Sequence, residues 1–517
     1  MQAPDRRPFR LNDSGAVAAS YALALPALIA VAAYGMDYAR MAGMDSELQN
    51  GADQAALAGA SQLNKKSGAC SRAANAAVSL VANESLLGSG ANAVTIPLET
   101  SCDAVGQVRF YQDKAKATPA TSDANARFIE VQVNAKTVDY ALFPVIGLVS
   151  SGNMDAAAFA GLGSAICKQP PVMMCNPNET ADPNFTTPNY VGTGIRLIAN
   201  DGGGTYGQGV FGYIETDAGS GANVTKELIG REEVPGECVS ADEGADMRPG
   251  LSVTVMDYLN TRFDIYANGL SPACTEATCP PSANAKTDLL KGPGTQCSIG
   301  NGNGTNGWRV PVAPYRPTSA VNPLTAAEAA ALSPMGYPRD ICHAVSVTGS
   351  CIRDKIGDGN WDRNAYFTSN TANWPTVPNY SSTFGTTTPT RYQVYRHEYA
   401  NAKLASQTDV SGPLVARSAP ICGAPGVPPN GTQIDRRVLS VAVINCTAEN
   451  VGSSTTDATI QKFVDVFLVE PSTNRGNGGS QVTEKSDVYV EVIGETTLGG
   501  GSNAGQNIRK DVPYLVE

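Results

Sequence analysis

The sequence predicts an α+β chain. A single N-terminal transmembrane helix continues into a periplasmic helix, followed by a small α+β unit and then a larger β-rich, loop-rich, disulfide-containing region. Three observations lead there. Residues 15–36, GAVAASYALALPALIAVAAYGM, carry no charge. All twelve cysteines lie beyond that stretch. The 517 residues as a whole combine 52 glycines and 33 prolines with short valine-rich runs and only 16% charged residues, a composition of many loops between short strands. A chain of this length holds about two to four folded units of roughly 100–200 residues each.

The apolar stretch sets the first element. As a helix at 1.5 Å per residue its 22 residues extend about 33 Å, against a hydrocarbon core of about 30 Å. Arg6, Arg7 and Arg10 precede it and only Arg40 follows closely, so residues 1–14 are expected in the cytoplasm and the bulk of the chain in the periplasm. A cleaved signal peptide is the competing reading. The apolar run is long for one, and the sequence continues helically without a small-residue cleavage site. The pair Arg6–Arg7 before Pro8 only weakly fits a twin-arginine export signal.

The helix is expected to extend over residues 37–66. Met41, Met44, Leu48, Gly51, Ala55, Ala58 and Gln62 fall at alternating three- and four-residue spacing, a narrow seam of mostly small side chains. Such a seam admits a partner helix, giving an oligomer through Met41, Met44, Leu48 and Ala55, or it packs on the protein's own next domain.

These residues carry a resemblance. SGAVAASYALALPALIAVAAYGMDYAR, followed by LQNGADQAALAGA, is similar to the N-terminal segment of TadE/TadG-like proteins of the Flp pilus (tight adherence) assembly system. The shared features are a Gly before the apolar run, Leu25–Pro26, Asp37 after it, and the tail from Leu48 to Ala60. Weaker likeness to later parts of TadG-like proteins runs through residues 131–161 and the C-terminal DRRVLSVAVINC, VFLVEP and VYVEVIG runs. The resemblance implies a structural or assembly role at the inner membrane, with other Tad pilus-assembly proteins as partners. One departure bears on mechanism. Processed pilins hold Glu five residues after the cut, and a cut after Gly15 would place Ser20 there, which favours an uncut, permanently anchored chain.

Residues 67–167 read as the small α+β unit, with a polar helix around 72–87 and strand alternation over 127–136. The apolar run 140–150 is too short to span a bilayer and is expected to be buried. Residues 168–190 form a Pro/Asn-rich linker with a tight Cys167–Cys175 loop. A loop-rich mixed domain over 191–420 and a β-rich region over 421–517 complete the chain. Helices are expected at 325–332, opened by a Thr325–Glu328 capping box, and at 391–405. The GIRLIAN and GVFGYIE runs, RRVLSVAVINC, KFVDVFLVE and DVYVEVIG read as strands.

The even cysteine count fits disulfides in an oxidising compartment. Zinc is the rival, but paired CxxC units are missing and His343 and His397 are the only histidines. A net charge of −11 without a basic run excludes a nucleic-acid footprint. No GxSxG, HExxH or SxxK motif occurs, and the two imidazoles do not suggest a nucleophile–base pair, so neither catalytic nor cofactor-binding residues are expected. The sharpest local cluster is DGNWD. Asp358, Asn360 and Asp362 stand at positions one, three and five of a calcium loop, with Asp354 as a possible fourth ligand, but Arg363 and Ser369 replace the Gly and Glu that such a loop needs. A DxSxS adhesion loop is also missing. The functional expectation is a membrane-anchored tether. The alternative is a surface-binding module using Gly/Asn-rich loops and exposed aromatics such as Trp361 and Trp374.

Overall fold

The computed structural model describes residues 14–516 apart from 65–66, 80–83, 90–91, 143, 145–149, 168–169, 200–205, 216–221, 233–237, 241–244, 248–252, 301–305, 318–322, 344–350, 352–354, 430–434, 457, 477–482 and 497–507. The chain divides into two compact units, residues 1–163 with 511–517, and residues 164–510.

In the first unit, α1 (Ser14–Ala60) is one continuous helix of 47 residues, about 70 Å long. It ends six residues earlier than expected because the N–H groups of Gln62 and Leu63 turn back to the carbonyls three residues before them, tightening the chain out of the α-helical path. Helix α2 (Ala69–Ser79) lies against α1. Its first turn is held by Asp123, whose carboxylate accepts from the N–H of Gly68 at 2.8 Å and of Cys70 at 2.9 Å. The expected helix to residue 87 is shorter, because Glu84 and Gly88 form antiparallel bridges to Ala93 and Val138 and need extended backbone.

Strands β1 (Val108–Tyr111), β2 (Phe128–Gln132) and β5 (Ala157–Cys167) pair antiparallel in that order. Strands β3 (Lys136–Asp139) and β4 (Ser151–Met154) form a separate hairpin. The buried faces of α1 and α2 meet the inner faces of these strands in one apolar core. Close approach is possible because Gly59 has no side chain: a Cβ there would stand 2.6 Å from Ile129 Cδ1 and 3.2 Å from the Ala73 carbonyl. The Cys70–Cys102 disulfide ties α2 to the chain before β1.

This core answers the question posed by the seam. Met44, Leu48, Ala52, Ala55 and Ala56 are fully buried against the unit's own elements. The oligomer expected through Met41, Met44, Leu48 and Ala55 is therefore corrected. The protein's own following domain occupies that face, since small side chains admit whichever surface is tethered nearest.

The second unit is built on a closed six-stranded barrel of β6 (Val172–Cys175), β7 (Gly194–Ala199), β8 (Val210–Tyr213), β14 (Val438–Ile444), β15 (Ile460–Leu468) and β16 (Asp487–Glu495). The order is β14–β15–β16–β7–β8–β6, antiparallel except for the β7–β8 and β6–β14 pairs. Between β8 and β14 the chain forms α3 (Ala222–Gly230), β9 (Cys238–Ser240), α4 (Met256–Asn260), β10 (Leu290–Lys291), β11 (Trp308–Arg309), α5 (Ala326–Ala330), α6 (Arg363–Ser369), α7 (Tyr380–Phe384), α8 (Arg391–Ala400), β12 (Gln407–Thr408) and β13 (Val415–Ala416). The expected Thr325–Glu328 capping box opens α5, and a second, Thr390–Gln393, opens α8. The C-terminal β17 (Ile508–Leu515) joins the sheet of β5.

The valine-rich runs are strands with both faces buried. On β14, Leu439, Val441 and Val443 point into the barrel core, while Val438 packs on an outer aromatic layer with Trp361, Tyr366 and Tyr395. Two expected boundaries are corrected here. The linker 168–190 contains β6, and the division at 420/421 falls inside the second unit, because the barrel closes only when strands from both sides of it pair.

Described disulfides join Cys175–Cys446, Cys274–Cys279, Cys297–Cys422 and Cys342–Cys351, and among the described residues no cysteine is free. The expected Cys167–Cys175 loop does not form. Cys175 lies beside β14 and bonds Cys446, while Cys167 stands opposite Cys238 in the β5–β9 pair.

Candidate functional site

Helix α1 changes character at one residue. Up to Tyr38 its large apolar side chains face outward, with Leu23 81%, Val31 72% and Leu28 63% exposed. Beyond it the helix is buried along one face. Asp37 marks the change: it is fully buried, and its carboxylate accepts the backbone N–H of Ala141 at 2.8 Å and of Leu142 at 2.9 Å, just past β3. The sequence singled out Asp37 but not its partner. The available signal was a lone acid directly after an uncharged stretch, which must find donors if it is to stay ionised out of water. The run 140–150, expected to be buried, is not so at its described residues: Tyr140 and Leu142 are half-buried, and Ala141, Pro144 and Ser150 are exposed. Among the described residues α1 is the one helix long and apolar enough to cross a membrane.

The second unit concentrates its charge inside. Glu398 on α8 is fully buried and accepts from Lys286 Nζ at 3.1 Å, Tyr366 OH at 2.6 Å, Tyr337 OH at 2.7 Å and Trp374 Nε1 at 2.7 Å. Burial pushes its carboxyl up, but Lys286 and the three neutral donors outweigh this and hold it below the ordinary carboxylate value. Lys286 is itself lowered by burial despite its Glu398 partner. At the first residue of α8, Arg391 bridges Asp340 and Glu491, all three buried. Arg437 lies over the rings of Phe467, Phe263, Tyr337 and Tyr395 and donates to the carbonyls of Leu468 and Val469. These groups are shut away from solvent and hydrogen-bonded within the fold, an arrangement that orients α8 on the barrel.

The candidate calcium residues have other employment. Asp362 is buried and serves as the N-cap of α6, accepting from Ala365 N–H at 2.9 Å, and it also accepts from Leu324 N–H at 2.8 Å. Asp358 is exposed and accepts from Asn360 N–H at 2.9 Å, a local turn, with Asn360 also exposed. Asp354 lies outside the described residues. His343 Nδ1 is 3.1 Å from Tyr489 OH, and His397 stacks on Trp374. Trp308 is fully buried, and the tryptophans expected on the surface, Trp361 and Trp374, are inside as well, exposed by 1% and 4%. Their indole N–H groups reach the Asp264 carbonyl, the Pro389 carbonyl and Glu398, so interior acceptors draw them in.

The second unit also bears a cleft of about 1280 Å³, lined by Ile265, Ile299, Arg309, Val310, Arg316 and Ser472 among others. Of its described lining residues only Asp257 is a carboxylate, and Lys485 pairs with it at 2.7 Å. The paired acids of a hydrolytic site are not brought together there.

The Tad family model, described as Flp pilus-assembly TadE/G-like, matches residues 15–62. The chain carries a TadE/G-like segment. That segment coincides with α1, taking in both the outward-facing apolar half and the half buried against the first unit. No curated protein and no solved structure matches the chain. The match takes in 48 of the 517 residues, and residues 63–517 lie outside it.

Proposed function

We propose that this chain is a membrane-anchored structural component of a Flp (tight adherence) pilus system. It is a single-pass inner-membrane protein with its N-terminus in the cytoplasm and both folded units in the periplasm, and it acts by tethering and by contacts with other pilus-assembly proteins, without making or breaking bonds. The observation that carries this is the division of the TadE/G-like helix at Asp37 into a half with outward-facing apolar side chains and a half built into the first unit's core. A helix shared in this way passes the membrane's hold directly to the folded chain, with no linker between. The disulfides support exposure to an oxidising compartment. The surface-binding alternative loses the tryptophan platform on which it relied.

Replacing Leu28 and Ile29 with Arg tests the anchor. Each charge costs about 2.5–3.5 kcal/mol near mid-bilayer. The double variant is expected in the carbonate-soluble fraction while the parent protein stays with the membranes. A double variant that resists carbonate extraction as the parent does refutes the anchor.

A further inference from the structure

The buried face of α1 continues past Asp37 into the apolar stretch. Ala33, four residues back on the same face, is also fully buried, about 6 Å further along the helix. On the other faces at this level Tyr34, Met36 and Tyr38 are 60%, 54% and 59% exposed, with the two tyrosine rings stacked at 6.0 Å. Tyrosines in this position are typical of a membrane–water interface. Folded chain therefore covers one face of α1 at a depth where the other faces meet lipid. The turn that leaves β3 reaches the helix here, donating the N–H groups of Ala141 and Leu142 to Asp37.

Irregular backbone at the edge of the hydrocarbon has little water to satisfy its N–H groups and persists only where protein acceptors replace it. Asp37 supplies an acceptor for two of them. Ala141 and Pro144 are exposed, and the sequence from Tyr140 to Val149 carries no charged side chain that would hold it in water.

Building on the anchor reading above, we propose that the turn at Tyr140–Leu142, with Pro144, is a second membrane contact: it lies among the acyl chains of the bilayer that α1 crosses, and Asp37 pins it there. The first unit would then sit directly on the membrane with its orientation about α1 set, because a helix alone leaves rotation about its own axis free.

The test uses the full chain in phosphatidylethanolamine/phosphatidylglycerol vesicles containing a lipid with a photoreactive diazirine near the end of its acyl chain. Adducts are located by residue-resolved mass spectrometry after illumination. Adducts are expected both within residues 15–36 and between Tyr140 and Pro144. Adducts confined to 15–36 overturn the second contact and leave the anchor standing, whereas adducts in neither place overturn the anchor and the contact with it. In Asp37→Ala the turn's adducts are expected to be lost while those on 15–36 persist, and a turn labelled as strongly as in the parent overturns Asp37 as the pin.

Discussion

Glu398 offers the sharpest test of how the second unit is held, because its partners differ in kind. One is a cation, Lys286 at 3.1 Å, and three are neutral donors, Tyr366, Tyr337 and Trp374, at 2.6–2.7 Å. In Lys286→Met the carboxylate keeps all three neutral hydrogen bonds, so the cost is placed at the low end of the roughly 3–5 kcal/mol for breaking a buried pair. Glu398→Leu removes the Lys286 ammonium's counter-charge and also leaves the donors of Tyr366, Tyr337 and Trp374 without their acceptor, each costing about 1–3 kcal/mol as a buried unmade donor. Glu398→Leu is therefore expected to be the worse by about 2 kcal/mol or more. The double variant removes both charges yet leaves the donors unmade, so it stays destabilised by about 2 kcal/mol or more, where an isolated ion pair replaced by apolar residues returns to near neutral.

The assay is urea unfolding of the full chain in detergent, followed by tryptophan fluorescence. The three tryptophans, Trp308, Trp361 and Trp374, all belong to the second unit, so the signal reports that unit alone. Equal costs for the two single variants, or a double variant as stable as the parent, refute the reasoning. The pH dependence has a definite sign. The folded Glu398 carboxyl lies below its ordinary value, so its contribution is complete above the unfolded value and is lost only as pH falls through the lower, folded one. Unfolding midpoints of the parent are expected to show no Glu398-linked change between pH 7 and about pH 5.

Other expectations follow from the staples and the turn. Cys175 and Cys446 close a loop of 271 residues across the parallel β6–β14 pair, so Cys175→Ala/Cys446→Ala is expected to lower the second unit's stability by about 5–6 kcal/mol on chain entropy, read as a fall in the fluorescence midpoint. An unchanged midpoint refutes that. Calcium is expected to leave the thermal midpoint of the full chain unmoved, because Asp362 is committed to capping α6 and to Leu324, and a rise that requires Asp358 and Asp362 refutes it.

Much of the local structure is legible in the sequence. A window of residues carries its own period and its own breakers, so α1, the two capping-box helices and the valine-rich strands can be located before any contact is known. The sequence also determined that a 22-residue uncharged stretch precedes every cysteine, and so that the chain has a membrane-compatible end and a disulfide-rich remainder. Helix ends were less readable. Residues 84–87 look helical by composition, yet Glu84 and Gly88 bridge Ala93 and Val138, with Ser85 N–H donating to the Asn92 carbonyl and Ser89 N–H to that of Thr137, and no helical period contains those partners.

Only the tertiary structure decided the partners. Barrel closure brings Cys175 beside β14 from more than 260 positions away, places both faces of the valine runs in cores, and draws Trp361 and Trp374 inside. It chose the protein's own domain for the small-residue seam and gave Asp37 the N–H groups of Ala141 and Leu142. The physical reason is common to all of these. A side chain's period and polarity tell that it needs burial or a hydrogen-bond partner, but which surface meets the need depends on competition among segments far apart in the chain, and that competition is settled only when the whole fold closes.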